Sequence, residues 1–273
     1  MSLSVLFIVE GKRPDKALIE TIIEKYKMNS SCELFIVGAN IYQLYSKMKS
    51  ENFECDVKAA LKEMKTSEDD KEKLSREYTY TYLVFDCDAQ DIYKKSERDS
   101  KERNIETIIS DNMKILSEMA DYFTNETDPT IGKLYINYPM IESFRDCDDY
   151  FDPEYENKTV MIDQIGENQY KNATGRTKIG SLDVRRFTQE QIESLTKMNI
   201  WKLNKIICDQ WGPISYPQYK HVSNQCLIIE NEIMKYLPER KIAIINTLLF
   251  WPVDYYGNKD GFYNRLMGLS ESI

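Results

Sequence analysis

Apolar runs and helix-period stretches alternate over the first half of the chain. Residues 4–10 (Ser-Val-Leu-Phe-Ile-Val-Glu) form a continuous apolar run rich in β-branched side chains. That pattern predicts a strand covered on both faces, as in parallel sheets. Pro14 and Asp15 suit the first turn of a helix, and Leu18, Ile19, Ile22, Ile23 and Tyr26 recur at helical spacing. Residues 34–39 predict a second buried strand. Asn40 is placed to cap a helix with Ile41, Leu44, Tyr45 and Met48 on one face. Residues 56–64 continue as a short helix. Residues 66–77 are charged without periodicity and predict a surface connection. The third strand is 80–85, after the strand formers Tyr78, Thr79 and Tyr80. Residues 92–104 are densely charged and predict a solvated loop or helix start. Residues 105–123 make an amphipathic helix through Ile108, Ile109, Ile115, Leu116 and Met119. Residues 132–138 predict a fourth strand, closed by Pro139. Strands alternating with helices indicate an α/β domain with a mainly parallel sheet.

From Met140 onward the pattern changes. Residues 146–156 carry six acidic side chains and predict an exposed loop. Residues 174–187 hold Gly175, Arg176, Lys178, Gly180, Arg185 and Arg186, the best local basic cluster. Helical patterns follow over 189–211, 219–237 and 240–251. The boundary is set near residue 165, giving an α/β domain over 1–165 and a mainly helical region over 166–273. No internal repeat or low-complexity tract interrupts either part.

Composition narrows the chemistry. With 273 residues, 42% of them hydrophobic, the chain can build a substantial core. No apolar run approaches the roughly 18 residues of a membrane span. The start, Met1-Ser2-Leu3-Ser4, lacks a basic segment, so no signal peptide is expected. Six cysteines, at 32, 55, 87, 147, 208 and 226, form no CxxC pair. That disfavours zinc ribbons and thioredoxin-type sites and predicts a reduced, cytoplasmic protein. A net charge of −9 argues against indiscriminate nucleic-acid binding over the whole surface, though not against a local basic groove. There is one histidine, His221, in a helical pattern, where a structural or exposed role is expected. Mechanisms needing two histidines in one chain are therefore excluded, and hydrolytic chemistry would rest on carboxylates, metals, Lys or Tyr.

The carboxylates have a pattern that such chemistry could use. The third strand runs Leu-Val-Phe into Asp86-Cys87-Asp88 and then Asp91. Residues two apart share one face of a regular strand, so Asp86 and Asp88 are expected side by side. Asp91 reads as a cap or supporting residue. Glu10 ends the first strand and Glu142 follows the fourth. Open parallel sheets bind ligands outside the carboxyl ends of their strands, so these four carboxylates could converge at one edge. Hard oxygen donors suit Mg²⁺ or Mn²⁺. Gly11 would let backbone approach a ligand closely. Lys12 and Arg13, beside Glu10, could meet phosphate.

A strand ending in Glu10-Gly11, a βαβ unit, and a strand ending in Asp86-Cys87-Asp88 together resemble the Toprim domain of topoisomerases, bacterial primases and nucleases of the overcoming-lysogenization-defect type. The resemblance covers about residues 4–145 and is one of motifs. The segment Tyr138-Pro139-Met140-Ile141-Glu142-Ser143 is similar to Toprim-like nucleases of phage defence and abortive infection. These are the RloB-like and abortive-infection L-like proteins and the Toprim effector of the PARIS system. The resemblance implies a Mg²⁺-dependent (or Mn²⁺-dependent) nuclease acting on RNA, tRNA or DNA, often beside a partner ATPase. It implies that Glu10 is a general acid/base and metal ligand and that Asp86 and Asp88 are metal ligands. Glu142 resembles a further ligand of the defence proteins. Asp15 lies five positions after Glu10 where many Toprim proteins have four, so its role does not carry over cleanly. Lys12, Arg13, Lys178, Arg185 and Arg186 are the candidate nucleic-acid contacts. Oligomeric state is left open, a homo-oligomer included, and no membrane is expected.

Two other readings stay open. Phe85-Asp86-Cys87-Asp88 also resembles the nucleophile motif of haloacid-dehalogenase-like phosphatases, with Asp86 phosphorylated and Asp88 as acid/base. Ala89-Gln90 replaces the threonine expected after the second aspartate, and the motif comes late in the chain. A catalytically inactive Toprim scaffold that binds a partner or nucleic acid is the third.

Overall fold

Strand β1 (Ser4–Val9) is the middle of the architecture because nothing in it tolerates water. Val5 through Val9 are fully buried, the expected result for a strand covered on both faces. The computed structural model describes residues 4–28, 31–54, 56–65, 67–91, 104–123, 131–166 and 168–269. After α1 (Asp15–Lys25) the chain forms β2 (Ser31–Ile36), parallel to β1 with Ser4 opposite Ser31. Helices α2 (Ile41–Ser50), α3 (Val57–Met64) and α4 (Glu68–Ser75) lead to β3 (Tyr80–Asp86) on the other side of β1, again parallel. Helix α5 (Ile105–Tyr122) then leads to β4 (Lys133–Asn137). The four-stranded parallel sheet has the order β2-β1-β3-β4 and is flanked by helices, the α/β class expected for a Toprim-like domain.

Local chemistry explains the helix starts. Asn40 accepts from the Gln43 amide while the Gln43 side chain accepts from the Asn40 amide, a reciprocal cap on α2. Asp56 caps α3 through the Ala59 amide. Along α5 the buried face runs through Ile108, Ile109, Ile115, Leu116 and Met119.

The second half is mainly helical. Short strands β5 (Thr159–Met161) and β6 (Lys241–Ala243) pair antiparallel, with Thr159 opposite Ala243. The short helix α6 (Gln169–Thr174) precedes the long α7 (Gln189–Cys208), capped by Thr188 with Gln191. Helices α8 (Tyr216–Val222) and α9 (Gln225–Asn231) follow, and α9 runs into a π-helical turn, Glu232–Tyr236. Helices α10 (Trp251–Tyr256) and α11 (Phe262–Met267) come last.

Several expectations need correction. Residues 66–77 contain α4, started by Ser67 and with Leu74 as its buried residue. The second strand begins and ends three residues earlier than its apolar pattern indicated. The pattern over 219–237 is divided among α8, α9 and the π turn. The pattern over 240–251 opens as β6, because buried residues 242–245 form a continuous apolar run that pairs with other backbone instead of coiling. The acidic stretch 146–156 is not simply an exposed loop. Asp146 is buried, its Oδ1 lies 2.8 Å from Lys158 Nζ, and its Oδ2 accepts from Tyr170 Oη at 3.0 Å. The charged stretch 92–104 lies, up to residue 103, outside the described residues.

By compactness the chain falls into two units. One comprises Met1–Lys16 and Met28–Tyr135; the other comprises Ala17–Lys27 and Ile136–Ile273. Residue 165, near which the sequence pattern sets the boundary, lies among the residues of the second unit. No helix among the described residues is long and apolar enough to cross a membrane.

Candidate functional site

The strand order fixes where a ligand would bind. From the central β1 the chain goes first to β2 on one side and then to β3 on the other. The topological switch point therefore lies between the carboxyl ends of β1 and β3. Glu10 and Asp86 stand at those two ends.

Glu10 is held there by its backbone. Its amide donates to the Val84 carbonyl at 3.2 Å, and its carbonyl accepts from the Gly38 amide at 3.0 Å. The residue is thus fixed beside β3 on one side and the segment after β2 on the other. Its side chain reaches across: Glu10 Oε2 accepts from the Asp86 amide at 3.3 Å. Asp86 itself is buried, while Glu10 and Asp88 are partly exposed. Asp15, at the first turn of α1, is buried, and its Oδ2 would stand 3.6 Å from a Cβ placed on Gly11.

After β3 the backbone makes a tight acidic turn. Asp88 has a positive φ of 33°, unusual for a residue with a side chain. The Asp91 amide closes the turn onto the Asp88 carbonyl at 2.8 Å, and Gln90 Nε2 donates to Asp88 Oδ1 at 3.4 Å. Three side chains from neighbouring elements grip the same turn. Tyr42 Oη donates to the Cys87 carbonyl. Asn112 Nδ2 donates to the carbonyls of Ala89 and Asp91, both at 2.9 Å. Asn40 Nδ2 donates to Asp91 Oδ2 at 2.6 Å.

Electrostatics report the same gathering. Tyr42 is fully buried, and burial pushes its hydroxyl far above the ordinary tyrosine range. Cys87, Asp88, Asp91 and Glu10 push it further, because each would set a negative charge near a forming phenolate.

Among the described residues, no group of three or more His, Cys, Asp or Glu side chains is arranged to hold a metal ion. The donor set still suits one chemically. Mg²⁺ is commonly held by one or two carboxylates, with water and substrate phosphate completing its shell. Glu10, Asp86 and Asp88 offer only hard oxygens.

The other expected residues fall as follows. Lys12 and Arg13 are exposed just after Glu10. Glu142 belongs to the second unit, in a short 3₁₀ turn, Ile141–Arg145. It is buried; Oε2 has no hydrogen-bond partner, and Oε1 lies 3.9 Å from Lys171 Nζ. Lys178, Arg185 and Arg186 are exposed in that same unit. Arg185 is partly neutralised by Asp183, with Nε to Oδ1 at 2.9 Å and Nη2 to Oδ2 at 2.8 Å. His221 is exposed on α8.

Tyr42 and Asn112 were not singled out by sequence. Asn112 did leave a trace: it sits four residues after Ile108 and four before Leu116, a polar side chain within an apolar stripe. It is 2% exposed. A buried amide in that place needs partners, and the acidic turn supplies them. Compared with known protein families, curated proteins and solved structures, the chain matches none.

Proposed function

We propose that this protein is a Toprim-type, Mg²⁺-dependent nuclease. The observation that carries the reading is the reach of Glu10 Oε2 to the Asp86 amide at the switch point of a 2-1-3-4 parallel sheet. Phosphodiester cleavage requires attacking and leaving oxygens held in line and their charge neutralised. One or two of the carboxylates Glu10, Asp86 and Asp88 would hold the ion, which when bound supplies that neutralisation. Glu10, partly exposed at the edge, is placed to take or give a proton. Asp86, with its backbone amide committed to Glu10, orients the pair. Lys12 and Arg13 would draw a phosphate backbone toward the edge, and Lys178 and Arg186 offer a further basic surface. A role in phage defence under a partner ATPase follows from the family resemblance.

The test compares wild type, Glu10→Gln and Asp86→Asn/Asp88→Asn on DNA, RNA, tRNA and para-nitrophenyl phosphate, with Mg²⁺ or Mn²⁺, with and without the product of a neighbouring gene. Metal-dependent strand cleavage lost in both variants supports the nuclease. Phosphatase activity that survives Glu10→Gln but not the aspartate change points instead to the haloacid-dehalogenase-like chemistry. No cleavage by wild type under any of these conditions removes the nuclease reading and leaves the inactive scaffold.

A further inference from the structure

The turn that carries Asp88 is held more firmly than a surface loop requires. Its backbone is strained at Asp88, where φ is 33°. Alternate carbonyls, those of Cys87, Ala89 and Asp91, are each gripped by a buried side chain. The grips come from two separate helices, α2 for Tyr42 and α5 for Asn112. Tyr42 is fully buried and Asn112 is 2% exposed. Asn112 Nδ2 serves both Ala89 and Asp91, so one amide fixes two points of the same turn. A third helix-start residue, Asn40, pins the Asp91 carboxylate. Tyr42 and Asn112 act through the backbone that presents the aspartates, whereas Asn40 holds the Asp91 side chain itself.

We propose that Tyr42 and Asn112 are positioning residues that hold the Asp86–Asp91 turn in the shape that binds a divalent cation. This deepens the nuclease reading and rests on it. Groups that orient metal ligands commonly change affinity about 10- to 100-fold when removed. A purely structural role would lower the melting temperature without selective loss of metal.

The experiment measures Mn²⁺ binding to the full chain by titration calorimetry, with far-UV circular dichroism and thermal midpoints alongside. The variants are Tyr42→Phe, Asn112→Leu, Asp86→Asn and, as control, Tyr45→Phe. Tyr45 lies on the same helix α2, but its hydroxyl donates to Glu118 instead. The expected result is binding that Asp86→Asn abolishes, that Tyr42→Phe and Asn112→Leu weaken about 10-fold or more, and that Tyr45→Phe leaves intact. Tyr42→Phe keeps the buried ring, so it decides the matter if Asn112→Leu does not fold. Wild-type affinity in Tyr42→Phe, beside Asp86-dependent binding in the parent, overturns the positioning role and spares the metal site. Equal weakening by Tyr45→Phe also overturns it, since the effect would then be general loosening of α2. No Asp86-dependent binding in the parent removes the metal reading first and the positioning role with it.

Discussion

Lys202 and Glu232 are both completely buried, and each grips one strand of the same pair. Lys202 Nζ donates to the carbonyls of Glu156 and Lys158, both at 2.8 Å, at the entrance to β5. Glu232 Oε2 accepts from the Ala243 amide at 3.1 Å, at the end of β6. Thr159, next to Lys158, is the register partner of Ala243, so the two side chains clamp the same end of the sheet.

This clamp predicts a pH dependence. Burial raises Glu232 to about 8, against the Ala243 hydrogen bond and the Lys202 charge, which pull it down. Its protonated form favours the fold, so that contribution is present at low pH and is lost as pH rises through about 8. Burial lowers Lys202 to about 7, with Lys205 and Lys158 assisting and Glu232 and Glu156 opposing. Its neutral form favours the fold, so that contribution is lost as pH falls through about 7. The two trends oppose each other and leave the clamp weakest near neutrality. Glu232→Gln keeps an acceptor for Ala243 and cannot ionise. Unfolding free energies of wild type and variant from urea titrations should therefore diverge in favour of the variant as pH rises from about 5 to 8, by on the order of a few kcal/mol. A pH-independent difference would refute this account.

Gly180 makes a second prediction. A Cβ there would meet the Thr174 carbonyl oxygen at 1.7 Å and Thr177 Oγ1 at 2.6 Å. Backbone cannot yield as a flexible side chain does, so Gly180→Ala forces the basic segment to move. A stability loss of about 3 kcal/mol, the upper end for overpacking, is expected in thermal melts.

The turn bearing Glu142 is anchored by a buried amide network. Asn246 Nδ2 donates to the Ile141 carbonyl at 2.9 Å and to Ser143 Oγ at 3.2 Å, while the Asn246 amide donates to Asn199 Oδ1 at 2.7 Å. Replacing Asn199 with Leu leaves that amide unpaired. The expected loss is about 1–3 kcal/mol, readable by chemical denaturation.

If Lys178 and Arg186 meet phosphate, Lys178→Glu and Arg186→Glu should weaken nucleic-acid binding similarly for all sequences and flatten its salt dependence. Both residues are exposed, so the melting temperature should hold. Fluorescence anisotropy across a salt series checks this, and unchanged affinity would leave the segment without a nucleic-acid role.

Sequence made the sheet legible because β1 and β3 carry continuous apolar stretches, residues 5–9 and 82–85, and because caps such as Asn40 and Asp56 are local chemistry. It failed on α4, where Leu74 is the one buried residue and periodicity is absent. It failed on β6, because a short buried run looks alike as helix or strand. At the candidate site, Glu10 and Asp86 were visible as polar ends of apolar strands. Tyr42 and Asn112 were hidden because their partners are backbone carbonyls far along the chain, which side-chain patterns do not register.

The division of the chain has a consequence for inheritance. Residues 17–27 lie early in sequence but belong with the C-terminal unit, where Tyr26 stacks on Tyr256 at 6.1 Å and its carbonyl accepts from Tyr256 Oη at 3.3 Å. A genetic cut after residue 135 would carry away a helix without its partners and leave the other half missing an element it never encoded. The two units therefore do not come apart at any single point of the chain: any one cut between residues 28 and 135 parts residues 17–27 from the side chains they pack on.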